Sequence, residues 1–355
     1  VLLRLRRMGP EHKLPITCLA LSPDGKFLFS ASKDCNIVKW CLTSKLKVGS
    51  ILSKHKSKHS AHQKHAHSAI IYCLAVAPDN KFLASGDAAG TLNLWNPETL
   101  VHLSNFKGHK AAVTGVAFCS ETNQLYSGSS DRTVNVWNLT DLCFIETLHG
   151  HQTGITDVDI MSKDRVITSG GSDNTVRLWK IDEESQLIYA GHKRNIDLVR
   201  RLTNQIFVSA GDDGIICLWG ISKKKPRHTV ENAHGIDVSN GEPKWIYSLC
   251  TISNQNLICS GSNDGFVRVW RCDGFCSLVN IKSIPINGFI NSLCYSSDQS
   301  CLIAAVGQEP KLGRWQRYKT SELSVLKHPS LNFFFNARMI QSIILHILFL
   351  SKLST

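Results

Sequence analysis

His109, Ser127 and Asp131 lie 18 and 4 residues apart, and Trp137 follows 6 residues later. A serine beside a histidine that is oriented by an aspartate is the constellation of nucleophilic acyl transfer, in which the imidazole takes the hydroxyl proton. That chemistry needs the set once, and this chain repeats it. The same intervals relate His12, Ser30, Asp34 and Trp40, and again His151, Ser169, Asp173 and Trp179. His192, Ser209, Asp213 and Trp219 shorten the first interval by one residue, whereas His234, Ser260, Asp264 and Trp270 lengthen it by eight. A further unit keeps His67, Ser85 and Trp95 but has Ala89 at the aspartate position, and the last has Asn287, Ala305 and Glu309. Repetition points to a structural use. The expected arrangement is a buried hydrogen-bond chain from the indole N–H through serine and histidine to aspartate, which satisfies polar groups between strands.

Other reactive patterns are missing. There is no phosphate-cradling glycine loop and no HExxH, so catalysis is not expected. Thirteen cysteines fall mostly in strand-like runs and form no CxxC pair; Cys272 and Cys276 lack the companions of a zinc site. They read as buried thiols of a reducing compartment. Neither a cofactor nor a bound metal is expected.

The elements that must hold these sets recur with them. Seven segments end in tryptophan, at Trp40, Trp95, Trp137, Trp179, Trp219, Trp270 and Trp315, with spacings of 55, 42, 42, 40, 51 and 45 residues. Each unit consists of short β-branched runs separated by Asp, Asn, Ser and Gly, which read as strands joined by hairpins. A period of this length with an aspartate turn before a tryptophan strand predicts an all-β, seven-bladed propeller over residues 1–320. The ring is expected to close through Val1–Arg7 as the outer strand of the last blade, with Glu322–Lys327 as the rival segment.

Two stretches depart from the period. Residues 41–66 read as a basic insertion between the first two blades; within it Lys54, Lys56, Lys58 and Lys64 alternate with His55, His59, His62 and His65. Such a run reads first as an exposed loop and second as a contact to nucleic-acid phosphate; a metal tract is the weaker reading, since alternating lysines repel a cation. Residues 321–355 match no blade, and their apolar run is too short to span a bilayer.

The chain carries 40 Lys plus Arg against 28 Asp plus Glu, a formal net charge of +12. That balance favours a polyanionic partner, nucleic acid before membrane. In the last repeat Gln308, Glu309, Lys311, Arg314 and Arg317 replace the buried network. Loss of such a network costs stability, so the replacement suggests a retained use. Arg314 and Arg317 offer planar donors suited to phosphate, and Lys311 offers a mobile charge. Further basic candidates are Lys193 and Arg194 after a Gly-His pair, and Lys223, Lys224, Lys225 and Arg227 between blades five and six. Taken singly, each of these is an ordinary solvated residue.

Gly-His at 108–109, 150–151 and 191–192, the aspartate turn and the tryptophan strand together resemble the WD-repeat family, although none of the seven tryptophans is followed by aspartate. Within it the chain resembles the subgroup of U-three small nucleolar RNP WD-repeat proteins. The resemblance rests on FSASKDCNIVKW at 29–40, QLYSGSSDRTVNVWN at 124–138, LWGISKKKPRH at 218–228 and above all GFINSLCYSSDQSCLIAAVGQEPKLGRW at 288–315. It implies a non-catalytic subunit, a monomer within a larger RNP, that binds U-three RNA beside a kink-turn-binding protein and other box C/D proteins. It further implies a place in the nucleus and nucleolus, in processing of small-subunit ribosomal RNA precursors, with no membrane partner. The alternative is a generic protein-interaction scaffold such as a ubiquitin-ligase substrate receptor. The Trp-Asp-x-Arg often carried by such receptors follows none of the seven tryptophans.

Overall fold

The computed structural model of the chain describes residues 12–44, 46–54, 65–252, 255–273, 277–295, 301–311 and 313, and the backbone of 344–349. The first sheet contains β1 (Ile16–Leu21), β2 (Phe27–Ser32), β3 (Ile37–Cys41) and β4 (Leu46–Ile51). The second contains β5 (Ile71–Val76), β6 (Leu83–Asp87), β7 (Leu92–Trp95) and β8 (His102–Phe106). Next come β9 (Val113–Cys119), β10 (Gln124–Ser129), β11 (Thr133–Asn138) and β12 (Cys143–His149). The fourth sheet has β13 (Ile155–Ser162), β14 (Arg165–Gly170), β15 (Thr175–Lys180) and β16 (Ser185–Ala190). The fifth has β17 (Ile196–Thr203), β18 (Ile206–Gly211), β19 (Ile216–Gly220) and β20 (Lys223–Val230). The sixth has β21 (Ser248–Ile252), β22 (Leu257–Gly261), β23 (Phe266–Asp273) and β24 (Ser277–Pro285). A last sheet has β25 (Phe289–Tyr295), β26 (Cys301–Gly307) and β27 (Ile344–Phe349).

Every sheet is an antiparallel meander in chain order, as expected of hairpin-linked, β-branched runs. The innermost strands β1, β5, β9, β13, β17, β21 and β25 contact one another around a closed circle, which makes the protein an all-β propeller. The expectation of seven blades requires correction: six sheets are complete four-stranded blades and the remaining one has three strands. Beyond β26 the chain enters a turn with Pro310 rather than the aspartate hairpin of the other units. The Trp315 segment lies outside the described residues. The open side of β26 is paired by Ile344–Phe349, whose aliphatic sequence suits a strand although it belongs to the stretch that matched no repeat. The first half of residues 41–66 is likewise no free insertion, because β4 completes the first blade. Residues 55–64, with most of the Lys/His run, lie outside the described residues, as do both segments weighed for ring closure.

Among the described residues, side chains join the first blade to the last sheet. Ile16, Leu19, Leu28, Val38 and Trp40 pack with Ile303 and Ala305. Buried Lys33 donates from Nζ to the carbonyls of Pro310, at 2.7 Å, and Gly313, at 2.9 Å. Adjacent blades are laced near the channel by threonines at β-bulges, where the extra residue turns its side chain toward the neighbour. Thr17 Oγ1 donates to the Ile71 carbonyl at 2.6 Å, and Thr156 Oγ1 to that of Ile196 at 2.6 Å. The core is not one mass but a wedge between each pair of sheets, such as that of Met161, Ile167, Tyr189, Phe207 and Trp219.

Candidate functional site

The repeated polar sets lie between strands. In the first blade Trp40 Nε1 donates to Ser30 Oγ at 2.8 Å, and that oxygen lies 2.8 Å from His12 Nε2. His12 Nδ1 faces Asp34 Oδ1 at 3.3 Å. The corresponding distances are 2.8, 2.7 and 3.1 Å for Trp137, Ser127, His109 and Asp131. They are 2.7, 2.7 and 2.9 Å for Trp219, Ser209, His192 and Asp213. Trp270 and His234 both lie 2.8 Å from Ser260, and His234 Nδ1 is 2.9 Å from Asp264. Each serine oxygen thus accepts from an indole and faces an imidazole, and Ser30, Ser127, Ser209 and Ser260 are 0% exposed. No substrate carbonyl can approach such an oxygen, so the repeated set serves as structure.

Two members are not those expected. In the fourth blade the hydroxyl between Trp179 and His151 is that of Thr168, 2.8 Å from each, while Ser169 Oγ turns to Thr156 Oγ1 at 2.8 Å. Register explains the correction. Thr168 stands opposite Val158 as Ser30 stands opposite Leu19, and the extra residue sits in a 3-10 turn, Gly171–Asp173, before the tryptophan strand. In the second blade the set is complete. Asp87, two residues after Ser85, takes the place expected at Ala89 and lies 2.8 Å from His67 Nδ1; Ser85 is 2.6 Å from His67 and 2.7 Å from Trp95. Burial pushes the Asp87 carboxyl upward, but the His67 hydrogen bond and turn amides outweigh it and hold the carboxyl below its ordinary value. At His192, burial opposes the charged imidazole, while Asp213 and Cys217 raise it to about 9.

The basic candidates separate into different settings. Lys193 pairs with Glu231 at 2.8 Å and Arg194 with Glu242 at 2.6 Å, so both charges are answered within the molecule. Lys223, Lys224, Lys225 and Arg227 belong not to a connection but to β20, the outer strand of the fifth blade. All four are exposed, and the three lysines have no ion-pair partner among the described residues. The Arg227 guanidinium lies across Gly220, where any Cβ would collide with it.

The turn after β26 is anchored from below. Besides the two carbonyls held by Lys33, Asn291 Nδ2 donates to the Glu309 carbonyl at 3.0 Å. Glu309 is buried and Gln308 half-buried. Lys311 does not face outward as a mobile contact. It lines the central channel, where burial lowers its ammonium against the opposing pull of Asp157 and Asp197. Arg314 and Arg317 lie outside the described residues. Lys33 had no sequence signal beyond its place in a turn, since its partners are carbonyls about 280 residues away.

The channel cavity, about 550 Å³, is lined by residues of the innermost strands. Arg200 pairs with Asp157 there. Asp197 occupies the bulge position held by threonine in other blades, and burial drives its carboxyl up to about 7. Among the described residues no group of three or more His, Cys, Asp or Glu is placed to hold a metal ion, and no helix is long and apolar enough to cross a membrane.

The sequence matches the family described as WD domain, G-beta repeat, over residues 4–41, 58–96, 100–138, 142–180 and 235–271. It is 50% identical over 317 residues to U3 small nucleolar RNA-interacting protein 2 of Mus musculus, covering 88% of this chain and 66% of that protein. The chain therefore spans just under two thirds of the length of that relative. It is also 33% identical over 338 residues to the U3 snoRNP-associated protein-like EMB2271 of Arabidopsis thaliana, covering 91% of this chain and 70% of that one. Among solved structures, that of U3-55K superposes with a TM-score of 0.86 at 40% identity, over 97% of this chain and 98% of the other.

Proposed function

The chain belongs to the WD-repeat family, in the group of U3 small nucleolar RNP-associated proteins, and from that premise we propose that it is a non-catalytic, RNA-holding subunit of the U3 box C/D particle. Its work is in small-subunit ribosomal RNA precursor processing in the nucleolus, beside a kink-turn-binding protein and the other box C/D proteins, as a monomer within the larger assembly. One observation carries the reading: likeness to a U3 small nucleolar RNA-interacting protein runs at 50% identity over 88% of the chain.

The geometry supports a division of labour among the basic residues. Lys223, Lys224, Lys225 and Arg227 are exposed on the outer strand β20, where the three lysines have no ion-pair partner among the described residues, an arrangement suited to a phosphate track. Lys311 contributes charge from the channel rather than a direct contact; Arg314 and Arg317, outside the described residues, are kept as phosphate donors on their sequence alone. Folded RNA is read mainly through phosphate, 2′-hydroxyl and shape, so no base code is required of these side chains.

The test is RNA binding as a function of salt, alongside crosslinking and sequencing of the tagged protein in cells. Each lysine that meets a phosphate adds about 0.9 to the slope of log affinity against log salt. The triple variant K223E/K224E/K225E should lose roughly ten- to a hundredfold in affinity at moderate salt and flatten that slope by up to ~3, with an unchanged unfolding midpoint. An unchanged slope removes β20 from the contact. Crosslinks no richer in one box C/D RNA than background would overturn the function itself.

A further inference from the structure

The eighth tryptophan, Trp245, lies outside the tryptophan register, beside the stretch of eight residues by which the sixth unit is lengthened. Those residues build a small hairpin. Ile236 bridges Pro243, Asp237 N donates to the Glu242 carbonyl at 2.8 Å, and Gly241 N donates to the Asp237 carbonyl at 2.8 Å. Lys244 N closes the base on the Gly235 carbonyl at 3.0 Å. Asp237 Oδ1 accepts from Ser239 N and Asn240 Oδ1 from Glu242 N, each at 3.0 Å, and Gly241 takes a φ of 71° that the turn requires. The hairpin is seated on the fifth blade. Ala233 N donates to the Gly214 carbonyl at 2.9 Å, and Arg194 grips Glu242.

Ordering such a hairpin costs conformational entropy, and its largest apolar side chains recover little by burial. Val238, at the tip, is 100% exposed and Ile236 is 50% exposed. Trp245 at the base is half-buried, tied by its carbonyl to Ser262 Oγ at 2.6 Å. Phe266, which opens β23 in the same blade's turn, is 38% exposed. Charge around the knob is balanced: Glu231, Asp237 and Glu242 meet Lys193, Arg194 and Lys244, two of them in ion pairs, on a chain whose net charge is +12. Glu242 of the inserted segment and Glu231 at the end of the fifth blade thus answer the two basic residues that the sequence offered to phosphate, and the hairpin tip is apolar.

We propose that the rim of the sixth blade, with Val238 and Ile236 as anchors, is a docking surface for an uncharged, apolar cleft on another protein. A polyanion gains nothing from a neutralised patch, whereas a buried aliphatic anchor is what a protein interface rewards. The anchors of this surface are not among the β20 residues read for RNA, so this assignment stands or falls independently of RNA binding.

The test places a photo-crosslinking p-benzoylphenylalanine at position 238 of the full chain in cells and sequences the crosslinked peptides. A peptide of one other protein, rich in apolar residues, is expected. That same protein should be retained at roughly 0.5 M salt, where surface charge is screened. The double variant I236S/V238S should then lower its recovery at least ~tenfold while bound RNA is unchanged. Crosslinks to RNA, to a second copy of this chain or to nothing above background would overturn the proposal. So would an identified protein whose recovery the double variant leaves unaltered. Because Val238 touches no core, V238S alone separates a binding defect from misfolding by its unchanged unfolding midpoint.

Discussion

Replacing Asp87 is the sharpest test of how the propeller is held together, because the sequence placed that role at Ala89. Asp87 is 1% exposed. Its carboxylate accepts from His67 Nδ1 at 2.8 Å and from the backbone N–H groups of Ala89 and Thr91, each at 2.9 Å. D87A strands all three donors. An unpaired buried donor costs about 1–3 kcal/mol. Ala89 is exposed and Thr91 half-buried, so water recovers part of the turn's share and His67 carries most of the loss. The expected cost is about 2–4 kcal/mol, toward the lower end of what breaking a fully buried pair costs. At a urea slope of ~3 kcal/mol per molar, the unfolding midpoint should fall by about 1 M. D87N keeps an acceptor for the turn and should fall between. The carboxyl is held below its ordinary value in the folded state, so its contribution is complete above the unfolded pKa of about 3.9 and disappears as pH falls through the lower folded value. The gap between wild type and D87A should therefore narrow below pH ~4. A89D, which restores the residue the repeat calls for at an exposed site, should shift stability by less than ~0.5 kcal/mol. If D87A costs under about 1 kcal/mol, or no more than A89D, the network is not what secures the second blade.

Two further outcomes follow from other corrected positions. T168V keeps the shape of Thr168 but strands the Trp179 and His151 ring nitrogens, and should cost about 2–3 kcal/mol in denaturant unfolding. S169A leaves that chain intact and should cost under ~1 kcal/mol; the reverse order would restore Ser169 to the role. For Asp197 the folded value, about 7, lies above the unfolded one. Its carboxyl thus favours the fold only while protonated, and stability drains as pH rises through the folded value. D197N should match wild type near pH 4, gain progressively up to pH ~7 and then hold a plateau of a few kcal/mol at most. A gain independent of pH would show that Asp197 is hydrated in the channel rather than desolvated.

Much of this architecture was legible in the spacing of His, Ser, Asp and Trp. A hydrogen-bond chain across three strands tolerates little change in register, so the intervals repeat wherever the strands do. The failures have the same origin. Counting back from Asp173 selects Ser169 because a 3-10 turn absorbs one residue between the strand and the tryptophan, and only the pairing of Thr168 with Val158 exposes the slip. Counting forward from Ser85 lands on Ala89, although the carboxylate can reach His67 from the end of β6 as well as from the turn. The number of complete blades failed for a different reason. A tryptophan at the right interval signals a strand but not its partner, and β26 is paired by a segment with no repeat signature at all.

The basic residues show why charge in a sequence is only half of an interface. Lys193 and Lys223 read alike as letters, yet one is answered by Glu231, 38 residues away in the chain, and the other stands on an open outer strand. Lys311 differs again: it lines the channel, where Asp157 and Asp197 oppose the effect of burial on its ammonium, while Lys33 and Asn291 hold its turn by backbone carbonyls. A carbonyl is an acceptor at any residue type, so such a clamp leaves no trace in composition or spacing. The polar side chains that order this ring were readable because they bond to one another at fixed intervals. The ones that position its candidate contact surface were not, because their partners are backbone or lie on distant blades.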